Sequence, residues 1–207
     1  MPSHPSSIPR LEALLAAIDR ENAQDPVTEP DGHGGEAPRA LLYGRRMSET
    51  LQGFRPQAGE LLRAAVRAQH IRRWDIPRSD YPEGRQGYHR WRRDLAAYHA
   101  RLTGELMASL GYAEPEIERV STLLRKEGLK SDPEVQTLED VACLVFLRHY
   151  LADFTQGAAA HFDAAKHLHI LRRTWAKMSD DGRAAALALE LPAPVRALLE
   201  QAIAGEH

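Results

Sequence analysis

Cysteine, strand-forming residues and an excess of charge of either sign are all scarce in this 207-residue sequence. The single cysteine, Cys143, excludes an intramolecular disulfide framework and a cysteine-rich zinc module, so we expect a reducing compartment, the cytoplasm. Lys and Arg number 27 and Asp and Glu number 29, which gives a formal net charge of −2. This balance excludes the global basic excess that drives non-specific nucleic-acid binding. Any nucleic-acid end or nucleotide therefore has to bind a local patch.

Long apolar runs are missing as well. The longest extends from Val141 to Leu147, whereas a membrane-spanning helix needs about 20 apolar residues. The segment from Met1 to Arg10 has no apolar core of the kind that a signal peptide carries. We therefore expect a soluble protein without a membrane partner.

Helical periodicity replaces strand patterns along most of the chain, because apolar residues recur three, four and seven positions apart. This spacing predicts helices that end near Asn22, Phe54 and Arg73, and a longer helix over Tyr88–Gly111, with Gly111 as its C-terminal stop. We therefore predict an all-α fold, a single domain of seven or eight helices over residues 1–207.

Three segments interrupt the predicted helices. Residues 1–7 are expected to be flexible, residues 24–38 form a loop rich in Gly and Pro, and residues 74–87 form an ordered loop with aromatic side chains to bury. Asp132, followed by proline, is predicted to cap a helix that is apolar on almost all sides over Leu138–Leu151. That helix should be buried.

Three residues on separate helices are the candidates for metal binding. Asp140 lies in the most apolar helix, where a lone ionised carboxylate costs several kcal/mol unless it pairs with an arginine or binds a metal. His99 lies beside the apolar stripe of the long helix, where it either donates a hydrogen bond to a neighbouring helix or binds a metal. If His70 converges with these two, the three side chains form a plausible site for Zn, Mn, Fe or Ni.

Cationic side chains surround these positions in the sequence. If half of these cationic side chains point into one pocket, that pocket would bind anions, because planar guanidinium groups suit phosphate oxygens. The alternative is a solvated face, which we favour for Arg92, Arg93 and Arg125. The predicted substrate-binding residues are Arg45, Arg46, Arg72, Arg73 and Lys126. Cys143 is expected to be an inert buried thiol.

The order of the three candidate ligands resembles the HD-domain superfamily of metal-dependent phosphohydrolases, an all-α fold whose ligands are a His, a His-Asp pair and a distant Asp. The resemblance assigns His70 to the pair and Asp140 to the final Asp. It assigns His99 to an additional histidine that such domains often carry. Ile71 stands in place of the aspartate of the pair, and the helix expected to bring the first histidine has Tyr43–Met47 instead. These departures argue against a two-metal site.

A second resemblance extends over most of the chain, from Leu11 to Leu191, and is to the family catalogued as domain of unknown function 4202. It implies a fold but no established activity. The segments that carry it are Leu42–Met47, Ala68–Trp74, Gly87–Arg92, Leu138–Leu147 and Lys177–Ser179.

Two functions follow from these residues. The first is an HD-like enzyme that acts on a phosphorylated small molecule or nucleotide, in which a divalent metal activates water and Glu139 transfers a proton. The alternative is a non-catalytic module that binds a nucleotide or an RNA end. Both take an anionic ligand, and neither defines an oligomeric state.

Overall fold

A computed structural model describes residues 9–156 and 164–204 of the chain. This part is helical apart from one short hairpin, so the all-α prediction is confirmed. The predicted flexible residues 1–7 lie outside the described ranges. The helices are α1 (Arg10–Asn22), α2 (Arg39–Phe54), α3 (Glu60–Ala68), α4 (Gly84–Ser109), α5 (Glu114–Arg125), α6 (Pro133–Val145), α7 (Leu151–Gln156), α8 (Ala164–Trp175), α9 (Asp180–Leu187) and α10 (Ala193–Ala204).

The predicted loop over 24–38 contains a small antiparallel hairpin of β1 (Thr28–Pro30) and β2 (Glu36–Pro38). Its turn is held by Asp31, whose Oδ1 accepts hydrogen bonds from the backbone N–H groups of His33 and Gly35 at 2.7 and 3.0 Å. Strands of three residues are too short to show an alternating pattern of apolar and polar residues, so they could not be predicted from the sequence.

The boundaries around the second predicted loop also differ from the prediction. Helix α3 ends at Ala68 rather than near Arg73, because Arg72 adopts a left-handed conformation with φ of 46° and turns the chain. Helix α4 begins at Gly84, four residues before the predicted start. Between them, two short 3-10 turns keep the segment ordered, and the indole Nε1 of Trp91 donates to the carbonyl of Ile76 at 2.9 Å.

The chain divides into two compact units, Met1–Glu127 and Gly128–His207. Helices α1–α5 build the first unit. The second contains α6–α10, with a π-helical turn between α6 and α7. Large side chains buried in the first unit are Leu14, Ile18, Met47, Ile71, Leu95, Met107 and Leu123, and those in the second are Leu138, Leu147, Leu151, Leu171 and Leu199.

Helix α6 confirms two predictions about the second unit. The carboxylate of Asp132 accepts from the N–H groups of Glu134 and Val135, which caps the helix. Side chains are buried around most of the circumference of the helix, including Cys143, whose Sγ lies 3.9 Å from the carbonyl of Thr174. Within residues 9–156 and 164–204, no helix combines the length and apolarity that crossing a membrane requires.

Candidate anion-binding site

Asp140 is a structural anchor in the second unit. Its side chain is buried, and its Oδ1 accepts from the Ser179 N–H at 2.8 Å and from the Gln136 amide at 3.0 Å. The hydroxyl of Ser179 donates to Oδ2 at 2.6 Å and accepts from the N–H of Gly182 at 3.0 Å, which caps α9. Neutral donors therefore satisfy this buried carboxylate without a metal or an arginine.

The three predicted metal ligands belong to different units, His70 and His99 to the first and Asp140 to the second. Across the described ranges, no group of three or more His, Cys, Asp or Glu side chains could hold a metal ion. Both oxygens of Asp140 already accept hydrogen bonds within the second unit, from Gln136 and Ser179. Glu139, the predicted proton-transfer residue, is buried in the same helix with the ammonium of Lys177 3.4 Å from its carboxylate. Glu139 therefore has a structural partner within the second unit.

The substitution Asp140→Asn is expected to lower the free energy of unfolding by about 1–3 kcal/mol, because the amide directs a donor at groups that also donate. Urea unfolding measures the effect, and Asp153→Asn, on an exposed residue of α7, is the matched control. If Asp140→Asn were as stable as the wild type, the anchoring role would be contradicted. That result is expected of a carboxylate that serves to bind a ligand, because such a residue can lose its charge without loss of stability.

The first unit contains a cavity of about 300 Å³ where the end of α3, the middle of α4 and the end of α5 meet. Its described lining contains five cationic side chains and no carboxylate. The cationic residues are Arg73, Arg92, Arg93, Arg125 and Lys126, the imidazoles are His70, His89 and His99, and the remainder are Gln69, Leu95, Ala96 and Leu124.

The long helix α4 supplies half of the lining from one face. Arg92 and Arg93 lie three and four residues after His89, and His99 lies ten residues after it, which is the spacing of a single helical stripe. Arg92 and Arg93 are exposed, and in the described part of the chain neither has a carboxylate partner. Their charges are thus available to a ligand in the cavity.

Arg73 approaches the same cavity from the turn after α3. Its guanidinium lies over the ring of Trp91, 4.7 Å from the ring centroid, which fixes its direction. Burial and then the neighbouring charge of Arg92 lower the pKa of Arg73. No acidic side chain of the described residues balances this arginine, so its positive charge is largely uncompensated.

Two imidazoles lie beside these arginines. The ring centroid of His70 is 6.2 Å from that of His99, and the other face of the site is closed by Tyr43, which stacks on His70 at 3.9 Å. Burial, followed by the charge of Arg73, lowers the pKa of His70 well below its ordinary value. The same two causes lower the pKa of His99 to about 3. Both rings are therefore neutral at pH 7.

Three of the predicted substrate-binding residues are engaged elsewhere. Arg45 Nε lies 3.5 Å from Asp19, and Arg46 pairs with Glu29. Arg72 binds Glu21 and Asp75, at 3.0 and 2.7 Å. These residues pair with carboxylates, and none of them lines the cavity. Arg73 and Lys126 do line it.

The sequence interpretation missed part of the cavity. It favoured a solvated face for Arg92, Arg93 and Arg125, which are exposed as expected but also belong to the lining. It gave no role to Gln69 or His89, which line the cavity as well. The stripe of His and Arg along α4 was the available signal. A solvated helix face has the same pattern of polar residues. Only the ends of α3 and α5, which lie opposite this stripe, distinguish a binding surface from a solvated one.

These observations define an all-α protein whose first unit carries a cavity lined by cations. The family model described as domain of unknown function (DUF4202) matches residues 12–199, and the chain belongs to this family. No curated protein and no solved structure matches the chain. The similarity to HD domains rests on the sequence positions of His70, His99 and Asp140 alone.

Proposed function

We propose that the first unit binds a phosphorylated small molecule or nucleotide, with its phosphate in the cavity between α3, α4 and α5. The observation that carries this proposal is the lining itself, which has five cationic side chains and no carboxylate among the described residues. Elsewhere in the same unit, Arg45, Arg46, Arg67 and Arg72 all pair with carboxylates. Among the cations of the cavity, Arg73, Arg92 and Arg93 have no carboxylate partner in the described part of the chain, whereas Arg125 lies 3.9 Å from Glu127.

The electrostatics of the empty cavity favour an anion. Arg92 lowers the pKa of Arg73, and both arginines lower the pKa of His99, which indicates mutual repulsion of positive charge. A phosphate dianion in the cavity attracts every cation that it contacts, and this attraction offsets the repulsion among the cations. The planar donors of arginine also match the geometry of phosphate oxygens.

The size of the cavity restricts the ligand. A volume of about 300 Å³ is at the small end of the range for small-molecule sites, which begins at about 300 Å³. It suits a sugar phosphate or a nucleoside monophosphate. A nucleic-acid strand needs an extended basic groove, and the formal charge of −2 offers no general excess of cations for one.

The proposal is limited to binding. Metal-dependent hydrolysis needs a set of ligands, and the described residues contain no group of three or more His, Cys, Asp or Glu side chains that could hold a metal ion. The imidazoles and arginines of the cavity can bind and orient a phosphate through charge and hydrogen bonds alone. A binding module therefore agrees better with these residues than the predicted metallohydrolase.

Calorimetric titration with sugar phosphates and nucleoside monophosphates tests the proposal. Arg73→Ala and Arg92→Ala are each expected to weaken binding about 10- to 150-fold, since a hydrogen bond to a charged group contributes about 1.5–3 kcal/mol. Arg101→Ala is the matched control, because Arg101 lies on α4 but pairs with Glu105 at 2.6 Å. That variant should bind like wild type.

Thermal unfolding of the same variants gives an independent readout. Arg73→Ala is expected to retain or increase the melting temperature without ligand, because it removes an uncompensated charge. Equal affinity in wild type, Arg73→Ala and Arg92→Ala, or binding of no phosphorylated compound, would refute the anion-binding function.

A further inference from the structure

Two residues that line the cavity, His99 and Gln69, each have a buried acceptor atom without a hydrogen-bond partner in the described structure, Nε2 and Oε1 respectively. A buried acceptor without a partner costs about 1–3 kcal/mol. Such atoms are rare in folded proteins, so each needs an explanation. Both belong to residues that line the cavity that we propose to bind phosphate, and the inference rests on that proposed function.

The hydrogen-bonding role of His99 follows from its other nitrogen. Nδ1 lies 2.8 Å from the carbonyl oxygen of Ile71. A carbonyl only accepts, so Nδ1 carries the hydrogen and donates it. The ring is neutral at pH 7 because burial and Arg73 hold its pKa at about 3. Nε2 is consequently an unprotonated acceptor, and the carbonyl of Ile71 fixes this tautomer.

An acceptor cannot be satisfied by a phosphate dianion. At pH 8 a phosphate monoester is fully ionised, because its second pKa is about 6, and all its free oxygens accept. No described group donates to Nε2 of His99, and within a phosphorylated ligand only the organic part can supply a donor. The arginines bind the phosphate, and His99 binds a group attached to it.

We infer that the ligand is a hydroxylated phosphate monoester, such as a sugar phosphate or a nucleotide, whose hydroxyl group donates a hydrogen bond to Nε2 of His99. Gln69 offers a second acceptor in the same lining. The site thus combines donors for phosphate with acceptors for hydroxyl groups. Inorganic phosphate and simple alkyl phosphates pair only with the phosphate-binding donors and leave the two acceptors unpaired.

Two matched ligands test this inference at pH 8. Ribose 5-phosphate has hydroxyl groups on a five-membered ring, and cyclopentylmethyl phosphate has a similar ring and the same charge without them. Calorimetry is expected to give at least tenfold tighter binding of ribose 5-phosphate, which corresponds to about 1.4 kcal/mol for satisfying a buried acceptor. The variant His99→Phe should reduce this ratio to the part contributed by Gln69 while still binding both phosphates.

A measurement on the unmodified protein covers the case in which His99→Phe does not fold. With 15N-labelled histidine, the Nε2 resonance of His99 is expected to shift on addition of ribose 5-phosphate and to shift much less with cyclopentylmethyl phosphate. Equal affinities for the two ligands, with no difference at Nε2, would overturn the inference and leave phosphate binding intact. Failure of both ligands to bind, in a panel where no phosphorylated compound binds, would overturn the proposed function instead.

Discussion

A decrease in pH from 7 to 5 is expected to lower the free energy of unfolding by about 2 kcal/mol through His99 alone. The pKa of His99 is about 3 in the folded protein, compared with an ordinary value of 6.5. Between these two values the unfolded chain binds a proton that the folded protein does not. Stability therefore rises with pH in this window and is lost as the pH falls through it. The lowered pKa of His70 acts in the same direction.

Urea unfolding at pH 7 and pH 5 measures this effect. His99→Gln removes the titrating group, so the difference between the two pH values should shrink by about 2 kcal/mol. Carboxylates with lowered pKa values, such as Glu60 and Asp75, lose their stabilising effect mainly below about pH 4.5, where the unfolded chain protonates. They add little above pH 5.

His89→Gln is the control for this experiment. His89 lies on the same helix and is exposed, so it contacts water before and after unfolding. This variant shows what the loss of an exposed imidazole on the same helix does to the stability at the two pH values. An unchanged pH dependence in His99→Gln would show that His99 is not held neutral by the fold, which would also remove the basis for its acceptor role.

The second large effect is expected at Gly87, in the first turns of α4. A Cβ atom at this position would lie 1.9 Å from the carbonyl oxygen of Pro82. Because the obstacle is backbone rather than a flexible side chain, Gly87→Ala has to displace the segment between α3 and α4. We expect a loss of about 3 kcal/mol in the free energy of unfolding, at the upper end of the typical cost of overpacking.

The same displacement should weaken ligand binding. The segment between α3 and α4 packs against α4 because residue 87 is a glycine, and Arg73 lies at the start of this segment. The guanidinium of Arg73 is positioned by the ring of Trp91 in α4. Gly87→Ala is therefore expected to reduce phosphate affinity under conditions in which the variant is still folded. Calorimetry at low temperature measures this loss.

Gly53→Ala is the matched control for the glycine experiment. Gly53 lies in α2 and has no atom within 4 Å of the position that a Cβ would occupy. Alanine should stabilise this helix by about 0.5–1 kcal/mol, because glycine loses more backbone entropy on folding. If both variants had equal stability, the close approach at Gly87 would not constrain the fold.

The sequence by itself determined the helical class, the helix stops and the buried character of α6. These features depend on neighbours in the chain. Apolar spacing indicates a helix, Asp132 caps α6 with its own side chain, and Gly111 takes the positive φ of 78° that follows α4. The family resemblance was also evident from short segments and was confirmed over residues 12–199.

The roles of the polar residues were decided by the tertiary structure. Asp140 in the sequence is a buried carboxylate in need of partners, and only the fold brings Ser179 to it across 39 positions. Arg67 and Arg73 are alike in the sequence, yet Asp19 lies 2.7 Å from the first, while the second lines the cavity without a described carboxylate partner. The physical reason is that helical periodicity is local, whereas charge compensation depends on residues far apart in the chain. A sequence therefore shows where its arginines are, and the packing of helices determines which of them remain available for an anion.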